Sequence, residues 1–166
     1  MILQGKTVVI VGTGPGLGRE IAEKSLRDGA RVVLGARTGS HLEKLARELD
    51  PGGEKVAWQV ADVEDGASLE KLADLAEQRF GQLDALVQVA ALASLHGTFE
   101  ESSLEDWERA YQVNVAGTVR ACRAALPHLR RAGGGSIVLV GSLAASLPTT
   151  AQVAYAASKG ALRSAM

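Results

Sequence analysis

The chain has 166 residues, 46% of them hydrophobic and 22% charged, so it can bury a core and is predicted to form one domain over residues 1–166. Its formal net charge of −1 comes from scattered acids and bases, which argues against a nucleic-acid partner. The apolar runs are short and interrupted, which predicts neither a signal peptide nor a membrane span. The single cysteine, Cys122, favours a cytoplasmic location.

Apolar stretches of strand length alternate with longer segments of helical period. Strands are predicted at residues 7–11, 31–34, 55–60, 85–89 and 136–140. Helices are predicted at residues 16–28, 40–49, 66–80, 103–110 and 112–131, with a last helix from about 152. This alternation predicts an α/β fold, a doubly wound parallel sheet of about five strands between two layers of helices. The last helix meets no stop signal, so we expect the fold to be incomplete at its C-terminus.

A glycine-rich segment, G-T-G-P-G-L-G at residues 12–18, joins the first strand to the first helix. Backbone N–H groups and the positive end of a helix can bind a pyrophosphate there, because glycines allow close approach. The alternative is a tight turn that needs glycine dihedrals. The spacing is G-x-x-x-G-x-G rather than G-x-G-x-x-G. The predicted cofactor contacts in this loop are Gly12, Thr13, Gly14, Gly16, Leu17 and Gly18.

The end of the second strand indicates which dinucleotide is bound. Many dinucleotide-binding folds place a carboxylate there for the ribose 2′-hydroxyl, but this chain has Gly35, Ala36 and Arg37. A guanidinium can bind a 2′-phosphate, so the sequence favours NADP over NAD, with Thr38 and Ser40 as further donors. The alternative for Arg37 is a solvated surface charge.

Asp62, which follows the third strand, has two interpretations. Its carboxylate could cap the next helix or accept a hydrogen bond from the adenine amino group, and local sequence favours neither.

Tyr155 and Lys159 are four residues apart in the last predicted helix, so both side chains lie on one face. A neighbouring cation favours the phenolate form of tyrosine. Such a pair suits chemistry that moves a proton on or off a carbonyl or alcohol oxygen.

With these residues assembled, the chain resembles the short-chain dehydrogenase/reductase family along essentially its whole length. The matching motifs are G-T-G-P-G-L-G, Asp62-Val63, Asn114 within Y-Q-V-N-V-A-G, Ser142 within V-L-V-G-S, and Y-A-A-S-K at residues 155–159. Their joint order and spacing carry the resemblance. The glycine spacing resembles the shorter reductases rather than the epimerase and dehydratase branch.

The resemblance implies a Rossmann-type fold and a catalytic tetrad acting on a small carbonyl or alcohol substrate. Tyr155 would be the general acid or base, and Lys159 would tune it and hold the nicotinamide ribose. Ser142 would orient the substrate oxygen, and Asn114 would hold a water that connects Lys159 to solvent. Val63 and the carbonyl of Ala90 would add cofactor contacts. The resemblance also implies a homo-oligomer, a dimer or tetramer, although core packing is a rival role for the helix at 112–131.

Three departures from the family pattern favour rival hypotheses. Val11 replaces a threonine whose hydroxyl ties the glycine loop, and Q-V-A-A at residues 88–91 replaces N-N-A-G. The C-terminal third of the family pattern is missing. The rivals are therefore a non-catalytic NADP-binding module and an inactive fragment of a longer reductase. The three histidines, His41, His96 and His128, lack metal-ligand spacing, so no metal is predicted.

Overall fold

Five parallel strands form one sheet in the computed structural model, which describes residues 1–147 and 151–165 of the chain. The strands are β1 Thr7–Val11, β2 Arg31–Ala36, β3 Val56–Val60, β4 Ala85–Gln88 and β5 Ser136–Leu139. The α-helices are α1 Leu17–Arg27, α2 Gly39–Leu49, α3 Gly66–Phe80, α4 Leu104–Ala110, α5 Gly117–Arg131 and α6 Val153–Ser164. The predicted α/β fold, a doubly wound parallel sheet, is confirmed.

The strand β1 lies at the centre of the sheet and is buried on both faces. Its sequence T-V-V-I-V is a continuous apolar run after one threonine, as a doubly covered parallel strand requires. Val9 and Val11 pack in a cluster with residues of α3 and α5. Val8 and Ile10 pack in a second cluster with residues of α1 and α2. The sheet is therefore the middle of three layers.

The strand order places a crevice beside β1. The order is β3-β2-β1-β4-β5, so the chain builds outward from β1 to β3 and then crosses back to β4. The connections that leave β1 and β4 diverge to opposite sides at the carboxyl ends of these strands. Ligands bind at such a reversal in open α/β sheets.

The helix predicted over residues 112–131 is α-helical only from Gly117. Residues Tyr111–Ala116 form a π-helical segment that joins α4 to α5. The wider turn carries Asn114 inward, where its side chain is fully buried, while Gly117 packs against Val63. A Cβ at residue 117 would lie 2.8 Å from the Cβ of Val63. Sequence periodicity could not predict this insertion because it leaves the apolar pattern of α5 intact.

The strand β5 differs from β1 in its exposure. Ser136, Ile137 and Val138 are exposed, and Val138 retains 50% of its accessible surface. Parallel pairing with β4, from Ala85↔Ser136 to Gln88↔Leu139, fixes its register. Pairing therefore places the end of β5 beside the end of β4, although less packing supports it.

Candidate active site

A cleft of about 470 Å³ opens at the carboxyl ends of β1, β2 and β3 and along the segment after β4. The predicted cofactor residues that line it are Gly12, Thr13, Gly14, Arg37, Thr38, Asp62, Val63 and Ala90. Gly16, Leu17 and Gly18 follow at the start of α1 and do not line it, nor do Asn114, Ser142, Tyr155 and Lys159. The cleft thus gathers most of the predicted nucleotide contacts in one place.

The glycines of the loop divide into two pairs. Gly12 has φ +98°, and a Cβ there would lie 2.3 Å from the nitrogen of Ala90, while a Cβ at Gly18 would lie 2.4 Å from the carbonyl oxygen of Gly12. Around Gly14 and Gly16, by contrast, an added Cβ would meet no atom within 4 Å. The first pair serves loop packing. The second leaves an open face beside the first turn of α1, where a phosphate can approach the backbone.

Thr13 supplies the tie that Val11 cannot make. The buried Thr13 hydroxyl lies 3.1 Å from the carbonyl oxygen of Ile10 and 3.0 Å from that of Gly35, and it accepts a hydrogen bond from Gly35 N–H at 3.1 Å. Since this hydroxyl joins the loop to the ends of β1 and β2, its role is to hold the loop. Any cofactor contact of Thr13 must use other atoms.

Arg37 and Thr38 lie exposed at the end of β2, beside the cleft. Thr38 is the N-cap residue of α2, but its side chain makes no capping hydrogen bond. Within residues 1–147 and 151–165, no ion pair or side-chain hydrogen bond involves the Arg37 guanidinium. A cation, a hydroxyl and the first turn of α2 thus stand together where an anionic group could bind.

The capping interpretation of Asp62 is wrong. The N-cap of α3 is Asp65, whose side chain accepts from Ala67 N–H. One carboxylate oxygen of Asp62 accepts from Glu64 N–H at 3.0 Å, and Asp62 N–H donates to Ser68 Oγ at 3.0 Å. Asp62 therefore stays in the cleft with one carboxylate oxygen committed to the local turn.

Helix α6 carries Tyr155 and Lys159 to the edge of the sheet. Lys159 is buried, and its Nζ donates to the carbonyl oxygen of Val140 at 2.7 Å, two residues before Ser142. This burial lowers the pKa of Lys159 from its ordinary value of 10.5. Ser142 begins a short 3₁₀ helix, Leu143–Ala145, and its Oγ accepts from Ala144 N–H. One hydrogen bond thus ties the helix of the Tyr–Lys pair to the segment that holds Ser142.

Asn114 connects three parts of the site. Its Oδ1 accepts from Leu92 N–H at 2.7 Å, and its Nδ2 donates to the Leu92 carbonyl and to Ser158 Oγ at 3.1 and 2.9 Å. Ser158 in turn donates to the carbonyl of Tyr155 at 2.7 Å. Both N–H donors and one acceptor site of the amide are therefore used as a brace between the segment after β4 and α6. Its predicted water contact stays a prediction.

The segment after β4 also pairs with the start of α6. Gly97 N–H donates to the carbonyl of Ala151 at 2.8 Å, and Gln152 Nε2 donates to the carbonyl of Ala93 at 3.1 Å. These bonds lie one helical turn before Tyr155. They hold the segment beside the predicted catalytic helix.

Gln88, the first residue of the departure Q-V-A-A, partly replaces the missing asparagine contacts. Its side chain is buried, and Nε2 donates to the carbonyl of Ala90 at 3.3 Å. Its Oε1 is buried without a hydrogen-bond partner among the residues described. One brace is therefore present, and it engages the carbonyl that the family resemblance assigns to the cofactor.

Three residues that line the cleft, His41, Glu64 and Arg109, were not predicted from the sequence as part of the site. His41 lines the cleft, and its Nε2 lies 3.1 Å from the carbonyl oxygen of Thr13. Its place in the first turn of α2, directly after Arg37 and Thr38, could have indicated this position. Glu64 and Arg109 also line the cleft, and no local pattern joins residues so far apart in sequence.

Two further findings concern only residues 1–147 and 151–165. Among them, no three His, Cys, Asp or Glu side chains gather closely enough to hold a metal ion. None of their helices combines the length and the apolar character needed to span a membrane.

Comparison with known proteins identifies the family. A family model described as short chain dehydrogenase matches residues 6–166. The D-threitol dehydrogenase of Mycolicibacterium smegmatis is 37% identical over 159 residues, which cover 95% of this chain and 60% of that protein. The first curated relatives are matched over 52 to 60% of their own length, so this chain spans little more than half of them.

Solved structures agree with this match. A short-chain dehydrogenase/reductase of Brucella melitensis, titled glucose/ribitol dehydrogenase, is 34% identical and superposes with a TM-score of 0.89 over 98% of this chain and 67% of that one. A short-chain type dehydrogenase/reductase of Mycobacterium ulcerans is 27% identical, with a TM-score of 0.93 over 99% of this chain and 61% of that one.

Proposed function

Because this chain belongs to the short-chain dehydrogenase family of oxidoreductases, we propose that it transfers a hydride between NADP and a carbonyl or secondary-alcohol substrate. The observation that carries the proposal is the bond from Lys159 Nζ to the carbonyl of Val140. It ties the helix of Tyr155 to the segment of Ser142. The relatives named above are dehydrogenases, which supports the oxidoreductase class but not a particular substrate.

The glycine loop fits a dinucleotide. The open faces of Gly14 and Gly16 leave room for a pyrophosphate beside the first turn of α1, and the exposed Leu17 borders the same opening. Asp62 and Val63 lie in the cleft where the adenine would bind. This fit supports one nucleotide-binding unit over residues 1–166, with the catalytic residues on the same unit.

The choice of NADP rests on the end of β2. A 2′-phosphate would meet the Arg37 guanidinium, the uncommitted Thr38 hydroxyl and the N-terminal turn of α2. No carboxylate occupies residues 35–38 to repel it. These features favour NADP over NAD.

The bound nicotinamide supplies or takes the hydride, and the side chains move the proton. The Tyr155 hydroxyl would give a proton to the substrate oxygen in reduction and take it back in oxidation. The Lys159 ammonium has three N–H donors, of which one is used on Val140, so two remain for Tyr155 and the nicotinamide ribose. Ser142 would donate to the substrate oxygen and fix its orientation.

The proton that Tyr155 gives must be replaced from solvent. We expect Asn114 to support this replacement by holding the segment at Leu92 and the helix at Ser158 in place. A water that connects Lys159 to solvent would then bind beside this brace.

Replacement of Tyr155 by phenylalanine tests the reaction. We expect NADPH oxidation with aldehyde and ketone substrates to fall by about 100-fold to 10,000-fold, because the proton donor is lost. The binding of NADP should be unchanged, as measured by quenching of protein fluorescence. If Tyr155→Phe leaves carbonyl reduction intact, the assigned acid is wrong. Binding of NADP without turnover over a broad substrate panel would instead support a non-catalytic binding module.

Replacement of Arg37 by alanine tests the cofactor. The dissociation constant for NADP should rise about tenfold or more, because a charge-assisted hydrogen bond to the 2′-phosphate is lost. The dissociation constant for NAD should change little. Equal losses for the two cofactors would contradict the assignment.

Assembly and location are part of the same proposal. Phe99, which precedes α4, and Leu104, the first residue of α4, are large apolar residues that are mostly exposed, which supports a homo-oligomer, a dimer or tetramer. The one cysteine, Cys122, is a free thiol and supports a reducing, cytoplasmic environment.

A further inference from the structure

An ion pair spans one side of the cleft. Arg109 Nη1 lies 2.5 Å from Glu64 Oε1, and both residues line the cleft. Arg109 belongs to the last turn of α4, whereas Glu64 lies in the connection from β3 to α3, 45 residues earlier in the chain. The pair therefore joins two walls of the cleft that the sheet does not connect.

Glu64 extends from a firmly held segment. Its N–H donates to Asp62 Oδ1 at 3.0 Å, and the carbonyl of the next residue back, Val63, accepts from Arg120 Nη1 at 3.3 Å. The side chain of Val63 is buried against Gly117, where a Cβ would not fit. Contacts from α5 thus fix the backbone from which the carboxylate extends, and the carboxylate orients the guanidinium.

Arg109 is also placed by its own helix. Helix α4 begins with a capping box in which Ser103 and Asp106 bond to each other's backbone N–H groups. Val113 follows Arg109 by four residues and lines the same cleft. A guanidinium plane and an apolar side chain therefore both line the cleft, as does Asp62.

The two arginines that line the cleft, Arg37 and Arg109, differ in whether a carboxylate pairs with them. The charged residues that line it are Arg37, Asp62, Glu64 and Arg109. Arg109 is neutralised by Glu64, whereas the guanidinium of Arg37 has no ion pair within the described part of the chain. An unpaired guanidinium suits an anion. A neutralised and oriented one suits the flat face of an uncharged aromatic base.

We propose that Glu64 and Arg109 form the outer wall of the adenine site, in which the Glu64 carboxylate orients the Arg109 guanidinium to stack on the adenine base. This inference rests on the proposed binding of NADP and extends it to a specificity-determining pair. Arg37 then binds the 2′-phosphate, and Arg109 contacts the base.

Two fragments of the dinucleotide, one with the adenine and one without it, provide the test. The dissociation constants of ADP-ribose, which carries the adenine, and of nicotinamide mononucleotide, which lacks it, are measured by calorimetry. We expect Arg109→Ala to raise the constant for ADP-ribose about tenfold and to leave that for nicotinamide mononucleotide unchanged. Arg109→Lys should cause nearly the same loss, because it keeps the charge but lacks the plane. Glu64→Gln should cause a smaller loss, about threefold.

A matched control is Arg47→Ala, which breaks an ion pair with Glu43 that does not line the cleft and should change neither constant. Wild-type affinity for ADP-ribose in Arg109→Ala would overturn the inference. An equal loss for both fragments, with a lower melting temperature, would also overturn it by showing a purely structural role. If the wild-type chain binds neither ADP-ribose nor NADP, the proposed function fails together with this inference. If the wild type binds both ADP-ribose and NADP, and the Arg109 variants bind them as tightly as the wild type does, this inference fails and the proposed function stands.

Discussion

The two halves of the site are held in place by different forces. The glycine loop follows β1 and is tied to β2 through Thr13, and the residues of both strands are nearly all buried between two apolar clusters. Of the predicted catalytic residues, Ser142, Tyr155 and Lys159 follow the exposed strand β5, and Asn114 lies in the π-helical segment before α5. These residues depend on discrete hydrogen bonds, such as those of Lys159 to Val140 and Asn114 to Ser158. Packing fixes a backbone path, whereas single polar bonds fix individual side chains. We therefore expect the glycine loop to be destabilised most by added side-chain volume, and the predicted catalytic residues by the loss of a single polar group.

The largest expected effect is overpacking of the glycine loop. Gly12→Ala should destabilise the protein by about 4 kcal/mol, because the new Cβ would overlap Ala90 and the backbone has φ +98°. Chemical denaturation gives the free energy of unfolding. Gly14→Ala is the matched control, since nothing lies within 4 Å of its Cβ, and it should cost less than about 0.5 kcal/mol. Equal effects of the two changes would contradict the assigned packing role.

Removal of one polar group should come next. Asn114→Leu leaves the N–H and carbonyl of Leu92 and the Ser158 hydroxyl without their partner, so we expect a loss of about 3 kcal/mol. Carbonyl reduction should fall as well, because Tyr155 lies on the released helix. Thr118→Val removes one bond to the backbone of Asn114 and should cost about 1 kcal/mol. A loss from Asn114→Leu no larger than that from Thr118→Val would show that the brace is unimportant.

Asp84 lies at the opposite end of the sheet from the cleft. Its carboxylate accepts from Thr7 N–H at the start of β1, and its carbonyl accepts from Ser136 N–H at the start of β5. Its replacement should have a smaller effect on stability, and this effect should depend on pH. Burial alone would raise the pKa of this carboxyl, but hydrogen bonds from Thr7 N–H, Lys6 and Gln82 bring it below 3.8. A lowered pKa in the folded state stabilises the protein above pH 3.8, and this stabilisation disappears as the pH falls through the folded-state value. Asp84→Asn should therefore cost about 1 kcal/mol at neutral pH and progressively less as the pH falls below 3.8. Urea unfolding of both proteins at neutral pH and at a series of lower pH values measures this, and a loss that does not depend on pH would contradict it.

The smallest expected change in stability concerns Gln88, at the end of β4 between the glycine loop and the predicted catalytic residues. Gln88→Met removes a buried carbonyl oxygen that has no partner among the described residues, at the loss of one long hydrogen bond to Ala90. We expect a stabilisation of about 0.5 kcal/mol in thermal unfolding. Destabilisation by more than about 1 kcal/mol would show that the brace on Ala90 outweighs the unpaired oxygen.

Sequence predicted the first half better than the second for a physical reason. The run T-V-V-I-V and the glycines that follow it report local geometry, so β1 and the loop could be located from adjacent residues alone. The consequence of Val11 could not be predicted from the sequence. Thr13 supplies the hydroxyl that Val11 lacks, and only the fold shows that Thr13 reaches Gly35.

The hydrogen bonds that support the predicted catalytic residues could not be predicted in the same way. Tyr155 and Lys159 were found from their spacing, but the partners of Asn114 lie 22 and 44 residues away. The cap of α3 was also missed, since Asp62 and Asp65 are equivalent in a local reading and only the start of the helix distinguishes them. Long-range polar contacts leave no periodic pattern in a sequence.

The π-helical segment Tyr111–Ala116 separates the rotational phase of α4 from that of α5. An α-helix turns by about 100° per residue, so one residue more or fewer within this segment would rotate everything after it by that angle. Asn114 and the apolar face of α5 could not both keep their partners after such a change. Single-residue insertions or deletions should therefore be tolerated far less at residues 111–116 than in the exposed turn at residues 132–134.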